Sequence, residues 1–129
     1  MARTRIMIID DEEEFLKLTK ANLEDTGMFE VATLESAKDL IAHLYNFKPD
    51  LILLDLLMPG IGGVEVCKIL NEDPIGQTVP IIVVSALDKN ADKYNAYKEG
   101  IVDYIVKPVE KNELIGRIQK ALELKHGPQ

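Results

Sequence analysis

Apolar residues in this chain gather in four short runs and one alternating stretch, separated by segments of helical spacing. Ile6-Met-Ile-Ile9, Leu51-Ile-Leu-Leu54, Ile81-Ile-Val-Val84 and Val102 to Val106 are bounded by polar or turn-forming residues. Short runs of this kind suit strands of a parallel sheet, which are covered on both faces and need no alternation. Phe29-Glu-Val-Ala-Thr33 alternates instead, which predicts a short strand toward the edge of the sheet. Between the runs, Phe15, Leu18 or Thr19, Asn22 and Leu23 form one helical stripe, with Asp11 and Glu14 at capping-box spacing before it and Gly27 as a left-handed stop. Ala37, Leu40, Ile41 and Leu44 lie at i, i+3, i+4 and i+7, a second helix. Val66 and Leu70 belong to a third, ending near Asp73-Pro74, and residues 73–80 form a long connection. Asp88 is placed to cap a fourth helix running to about Glu99, with Gly100 after it. Glu110 opens the fifth, whose inner face is Leu114, Ile118 and Leu122, with Ile115 and Ala121 beside them. Lys120, Lys125 and His126 load its C-terminal half, as the helix dipole favours.

Five strands alternating with five helices predict an α/β fold: a doubly wound, five-stranded parallel sheet with right-handed crossovers and helices on both faces. The expected strand order is the flavodoxin-like 2-1-3-4-5, with its switch point between strands 1 and 3. The 129 residues suit one domain with a real core, here taken as 1–129 with a core of about 5–124. An apolar fraction of 47% argues against disorder. Cys67 is the single cysteine, so an intrachain disulfide and a cysteine-only zinc site are excluded, and a reducing cytoplasm fits. No apolar run approaches membrane-spanning length, and the basic start meets Asp10 too soon for a signal peptide. A net charge of −7 disfavours direct nucleic-acid binding by this domain.

On this frame the polar strand ends fall on one edge of the sheet. Strand 1 ends on Asp10-Asp11, strand 3 on Asp55, strand 4 on Ser85 and strand 5 on Lys107. Adjacent strands 1 and 3 would bring three carboxylates together at the switch point, where doubly wound sheets build their sites. Crowded carboxylates raise one another's pKa unless a cation joins them, and an oxygen-only donor set with room for water suits Mg²⁺. A divalent ion beside a carboxylate, a hydroxyl and an ammonium is an arrangement for phosphoryl transfer. Each residue alone has a plainer use: Asp10-Asp11 as helix cap, Asp55 as a turn former, Ser85 in a loop, Lys107 and His43 on the surface, Cys67 on a helix face, Tyr104 as a strand aromatic. Chance placement of the right type at four strand ends is much harder to accept.

With these motifs in place, the chain resembles the receiver domain of bacterial two-component response regulators. The resemblance rests on Asp10-Asp11, on Asp55 with Met58-Pro59-Gly60, on Ser85-Ala86, and on Tyr104-Ile-Val-Lys107-Pro108, and it covers about Arg5 to Leu124. It implies that Asp55 accepts a phosphoryl group from the phosphohistidine of a sensor histidine kinase or a histidine phosphotransfer protein. It implies Mg²⁺ bound by Asp11, Asp55 and the backbone carbonyl of Leu57, with Asp10 acting through water. Ser85 and Lys107 would hold phosphoryl oxygens, and Lys107-Pro108 would be a cis peptide, a form that X-Pro bonds adopt at low cost. Ser85 and Tyr104 would form a switch pair, Tyr104 turning inward, that alters the face of helix 4, strand 5 and helix 5. The outcome would be binding to a downstream protein or output domain, or phosphorylation-dependent homodimerisation. The chain would be a phosphoacceptor with slow self-catalysed phosphorylation and dephosphorylation, not an enzyme in the usual sense.

Departures from the family pattern are Ser85 in place of a frequent Thr, Gly62 in place of a frequent Asp, and apolar Leu57 and Leu87 where polar groups are common. Three competing readings remain. A flavodoxin-like cofactor binder needs a Ser/Thr/Gly-rich phosphate loop after strand 1, where this chain has five consecutive acids. A dehalogenase-like phosphatase needs a second acid after Asp55, where Leu56 and Leu57 stand. A degenerate receiver serving only as an interaction module sits poorly with the intact acidic pair, Asp55, Ser85 and Lys107. The chain reads equally as a single-domain regulator or as a receiver cut from a longer protein.

Overall fold

A computed structural model describes residues 2–126, with side chains through Leu124. Strands β1 (Thr4–Ile9), β2 (Phe29–Leu34), β3 (Leu51–Leu54), β4 (Ile81–Ser85) and β5 (Asp103–Val106) alternate with helices α1 (Glu13–Glu24), α2 (Leu40–Phe47), α3 (Gly63–Glu72), α4 (Asn90–Lys98) and α5 (Lys111–His126). The sheet order is β2-β1-β3-β4-β5 and every pairing is parallel, as the pattern predicts. A single 3₁₀ turn, Gly76–Thr78, lies in the long connection before β4. Among the described residues no helix is long and apolar enough to cross a membrane.

Strand side chains alternate between faces, so each continuous apolar run feeds two cores. Met7, Ile9, Ile52, Leu54, Ile81 and Val83 point to one face, where Leu40 and Leu44 of α2, Val66 and Leu70 of α3 and Ala96 of α4 cover them. Ile6, Ile8, Leu51, Leu53, Ile82 and Val84 point to the other, under Leu16 and Leu23 of α1 and Leu114 and Ile118 of α5. Register keeps the two sets apart: Met7 pairs with Ile52 and Ile9 with Leu54. Each fully buried aliphatic side chain contributes about 1.5–3 kcal/mol, and a one-residue slip of β3 would exchange the two sets. Cys67 lies wholly inside, and burial pushes its thiol up to about 11, far from reactivity at neutral pH.

Several local details differ from the sequence pattern. The buried stripe of α1 is Leu16, Thr19 and Leu23, whereas Leu18 is exposed. No capping box forms at Asp11: α1 is preceded by Glu12, and the Asp10 carboxylate accepts the Glu12 N–H at 2.9 Å. That leaves the Asp11 carboxylate free for the sheet edge. Asp88 does not cap α4, which starts at Asn90 after Lys89; Asp88 stays in the loop that Ser85 and Tyr104 anchor. Helix α2 starts at Leu40, with Ala37 in the turn before it, and β5 starts one residue after Val102. Helix α5 buries Ala121 more deeply than Leu122. Glu110 does open α5, its carboxylate accepting the Asn112 N–H at 2.6 Å. The side chains of Lys125 and His126 lie outside those described. Gly27 takes the left-handed conformation, φ 77°, that ends α1 without a Cβ penalty.

One long-range tie was not visible in the pattern. Arg117 of α5 grips Asp103 at the start of β5 with two bonds, Nε to Oδ2 at 2.5 Å and a terminal nitrogen to Oδ1 at 2.7 Å. The guanidinium holds the Asp103 carboxyl below its ordinary value. This fork fixes α5 against the strand that carries Tyr104 and leads into Lys107.

Candidate functional site

The ladder hydrogen bonds of the sheet place the site residues. Asp55 follows β3 and its N–H donates to Ile9 O at 3.0 Å, so it stands beside Asp10 at the end of β1. Lys107 follows β5 and its N–H donates to Ser85 O at 2.8 Å, which carries its side chain back over the same edge. Lys107-Pro108 is a cis peptide. Carboxylate oxygens of Asp10, Asp11 and Asp55 lie within 4.8 Å of one another. Asp10 and Asp55 are buried, and Asp11 is exposed at the mouth. The sequence-predicted carboxylates and lysine therefore meet.

Two of the three carboxylates, Asp55 and Asp10, are already engaged. Asp55 Oδ1 accepts the Leu57 N–H at 3.1 Å, which folds the loop after β3 back over the site. Its Oδ2 faces Lys107 Nζ at 3.5 Å. Asp10 Oδ2 accepts from Lys107 at 2.8 Å. Burial raises the Asp10 pKa, and the Asp55 charge adds to this; the Lys107 ammonium and the Glu12 N–H only partly offset it. Burial works against the Lys107 ammonium, but the hydrogen bonds to Asp10 and Glu12 and the surrounding negative charge outweigh it, and its pKa is raised.

Two neighbours of Lys107 escaped the sequence reading. Glu12 Oε1 accepts from Nζ at 2.7 Å, and the Phe15 ring lies 4.1 Å from the same nitrogen, a cation–π contact. Glu12 is one of five consecutive acids, and Phe15 looked like an ordinary stripe residue, so only the return of Lys107 across the sheet singles them out. Beside Phe15, an apolar groove of about 450 Å³ runs between α1 and α5, with Leu18, Pro108 and Leu114 among its walls.

Ser85 is fully buried and its Oγ accepts the Leu87 N–H at 3.2 Å. Tyr104 lies inward, its hydroxyl donating to Leu87 O at 2.6 Å. Burial, with the Asp92 charge, raises the Tyr104 phenol pKa. Leu87 is thus held by Ser85 at its amide and by Tyr104 at its carbonyl. Leu57, 50% exposed, and half-buried Leu87 flank the site, and His43 is exposed on α2.

This arrangement of acids and lysine on a 2-1-3-4-5 sheet defines the class. The family model described as the response regulator receiver domain matches residues 6–119, and the chain belongs to that family. It is a receiver domain of a two-component response regulator. The chain is 34% identical over 118 residues to the phosphate regulon transcriptional regulatory protein PhoB of Rhizobium meliloti, covering 92% of this chain and 52% of PhoB. It is 32% identical over 121 residues to the response regulator PleD of Caulobacter vibrioides, covering 94% of this chain and 26% of PleD. The chain thus spans about half of PhoB and a quarter of PleD. Among solved structures it is similar to a CheY-like receiver domain protein from Methanospirillum hungatei, with a TM-score of 0.88, 26% identity and coverage of 97% and 98%. The chemotaxis protein CheY4 of Vibrio cholerae shares the fold, with a TM-score of 0.87 at 22% identity over 93% of this chain and 99% of CheY4.

Proposed function

We propose that this receiver takes a phosphoryl group onto Asp55 from the phosphohistidine of a sensor histidine kinase or histidine phosphotransfer protein. The convergence of the Asp10, Asp11 and Asp55 oxygens with Lys107 at one sheet edge is the observation that carries this reading. The donor set is all oxygen and open to water on the Asp11 side, which suits Mg²⁺ better than a soft metal. Asp11, Asp55 and the Leu57 carbonyl would hold it; Asp10, whose two oxygens accept short bonds from the Glu12 N–H and Lys107 at 2.9 and 2.8 Å, would engage it through water, whereas Asp55 Oδ2 has only the long Lys107 contact at 3.5 Å. When bound, Mg²⁺ would neutralise the carboxylates and the incoming phosphoryl oxygens.

The chemistry belongs to Asp55. A carboxylate oxygen forms a bond to phosphorus as the donor's P–N bond breaks, and the electron pair leaves with the imidazole. Lys107 donates to one phosphoryl oxygen and Ser85 Oγ–H to another. As Ser85 turns toward the phosphoryl group it pulls on Leu87, and Tyr104 reads that movement through its bond to the Leu87 carbonyl. The face of α4, β5 and α5, where Tyr94 and Tyr97 are exposed, would carry the signal to a downstream protein, an output domain or a second copy in the cytoplasm.

The test is labelling with acetyl phosphate, followed by intact mass and peptide mapping. The expected result is one added phosphoryl group on Asp55 that appears only with Mg²⁺. Labelling that ignores Mg²⁺, or that maps elsewhere, would overturn the assignment. No labelling at all would favour a receiver that acts only as an interaction module.

The phosphorylated form is expected to be long-lived. Hydrolysis needs a water held in line behind phosphorus, and neither Leu57 nor Leu87 can hydrogen-bond one. Exchanging both for polar groups, Leu57→Asn with Leu87→Glu, should speed phosphate release on the order of ten-fold, since positioning alone accounts for such factors. Release is followed after donor removal at fixed Mg²⁺. A double variant no faster than wild type would show that these leucines do not control the water.

A further inference from the structure

The Lys107 ammonium has three N–H donors, and all three are spoken for. Asp10 accepts at 2.8 Å, Glu12 at 2.7 Å and Asp55 at the long distance of 3.5 Å. Phe15 covers it further, and the Lys107 side chain is only 12% exposed. A phosphoryl group on Asp55 can replace the long Asp55 contact, but the ammonium can close on its oxygens only if one of its two short partners, Asp10 or Glu12, lets go. Asp10 is buried, fixed by its second bond to the Glu12 N–H, and would be left as an uncompensated internal charge. Glu12 is the opposite case: its side chain is 62% exposed and water can replace the lysine.

We propose that Glu12 is a latch on Lys107: its carboxylate holds the ammonium toward the α1 side of the site, and its release sets how readily the site accepts a phosphoryl group. This rests on the phosphoacceptor reading of Asp55 and adds a positioning residue that acts through Lys107. In acetyl phosphate labelling, the Asp55 oxygen bonds to phosphorus as the P–O bond breaks and acetate leaves with the electron pair. Lys107 stabilises the oxygens of the moving group, so a lysine already oriented away from Glu12 raises the rate. Glu12 also adds negative charge at the path of an anionic donor, and the test must separate that field from the contact.

The experiment compares wild type, Glu12→Ala and Glu14→Gln. Glu14, two residues further on, is exposed and is not a partner of Lys107, so its neutralisation changes the field without touching the latch. Two quantities are read: the Mg²⁺-dependent rate of acetyl phosphate labelling per unit donor, and the reactivity of Lys107 toward an amine-acylating reagent, mapped by mass spectrometry without any phosphodonor. Glu12→Ala should raise the labelling rate roughly two- to five-fold, the factor an exposed ion pair is worth, and should raise Lys107 acylation, with Glu14→Gln close to wild type in both. Equal acceleration by Glu14→Gln would reduce the effect to net charge and overturn the latch. Lys107 acylation unchanged in Glu12→Ala would also overturn it, independently of Asp55. Failure of wild type to label at all, with Lys107 released in Glu12→Ala, would overturn the phosphoacceptor reading and the latch's role in it together, while the contact itself stood.

Discussion

Asp55→Asn should take up no phosphoryl group from acetyl phosphate and yet fold as well as wild type or better. Asparagine is nearly the same shape, and its amide oxygen can still accept the Leu57 N–H that now binds Asp55 Oδ1 at 3.1 Å, so the loop after β3 keeps its anchor. What disappears is the nucleophilic oxygen and one of two buried negative charges. Asp10 feels the Asp55 charge, and its pKa should fall toward the ordinary carboxylate value when that charge is gone. In metal-free buffer, relief of the repulsion should leave the melting temperature unchanged or raised. Added Mg²⁺ should then stabilise wild type more than the variant, because a ligand stabilises only the state that binds it. Labelling by mass spectrometry and melting with and without Mg²⁺ are the measurements. A variant that labels like wild type, or melts far below it, would mean that Asp55 is not the acceptor or that its charge holds the fold together.

Much of this was legible because the strands speak in continuous apolar runs. A run such as Leu51-Ile-Leu-Leu54 has one use in a small α/β chain, and the polar residue at its end is placed by the topology alone. Asp10, Asp55, Ser85 and Lys107 could be brought to one edge from the sequence because strand order fixes that edge. Details that depend on side-chain direction were not legible. Leu18 and Leu16 are both compatible with a helical stripe, and only packing in the core shared with Phe29 and Val31 of β2 decides that Leu16 is inside. Asp88 has a good capping residue's chemistry, but the bonds of Leu87 to Ser85 and Tyr104 decide where α4 starts. Glu12 and Arg117 find their partners at sequence separations of 95 and 14, and no local pattern marks either pair.

Gly63→Ala should damage both the fold and the site, against what helix propensity alone predicts. Gly63 is the first residue of α3, and alanine there would ordinarily gain about 0.5–1 kcal/mol by restricting the unfolded chain and favouring the helix. The structure leaves no room for it. A Cβ on Gly63 would lie 2.5 Å from Leu56 Cα and 2.7 Å from the Asp55 carbonyl oxygen, both backbone atoms that cannot swing aside. The Gly63 N–H also donates to Leu56 O at 3.2 Å, which holds α3 against this peptide. Alanine must therefore push α3 off the sheet or displace the Asp55-Leu56 backbone. Overpacking of this kind costs roughly 1–3 kcal/mol net. Displacing the acceptor by about 1 Å should slow Asp55 labelling by up to about 100-fold. Gly116 of α5 supplies the matched comparison: a Cβ there meets nothing within 4 Å, so Gly116→Ala should stabilise by about 0.5–1 kcal/mol and leave labelling unchanged. Urea denaturation and acetyl phosphate labelling of the two variants give opposite signs in stability and a split in rate. If Gly63→Ala matched Gly116→Ala in both, the close packing of α3 on the phosphoacceptor peptide would not constrain this protein.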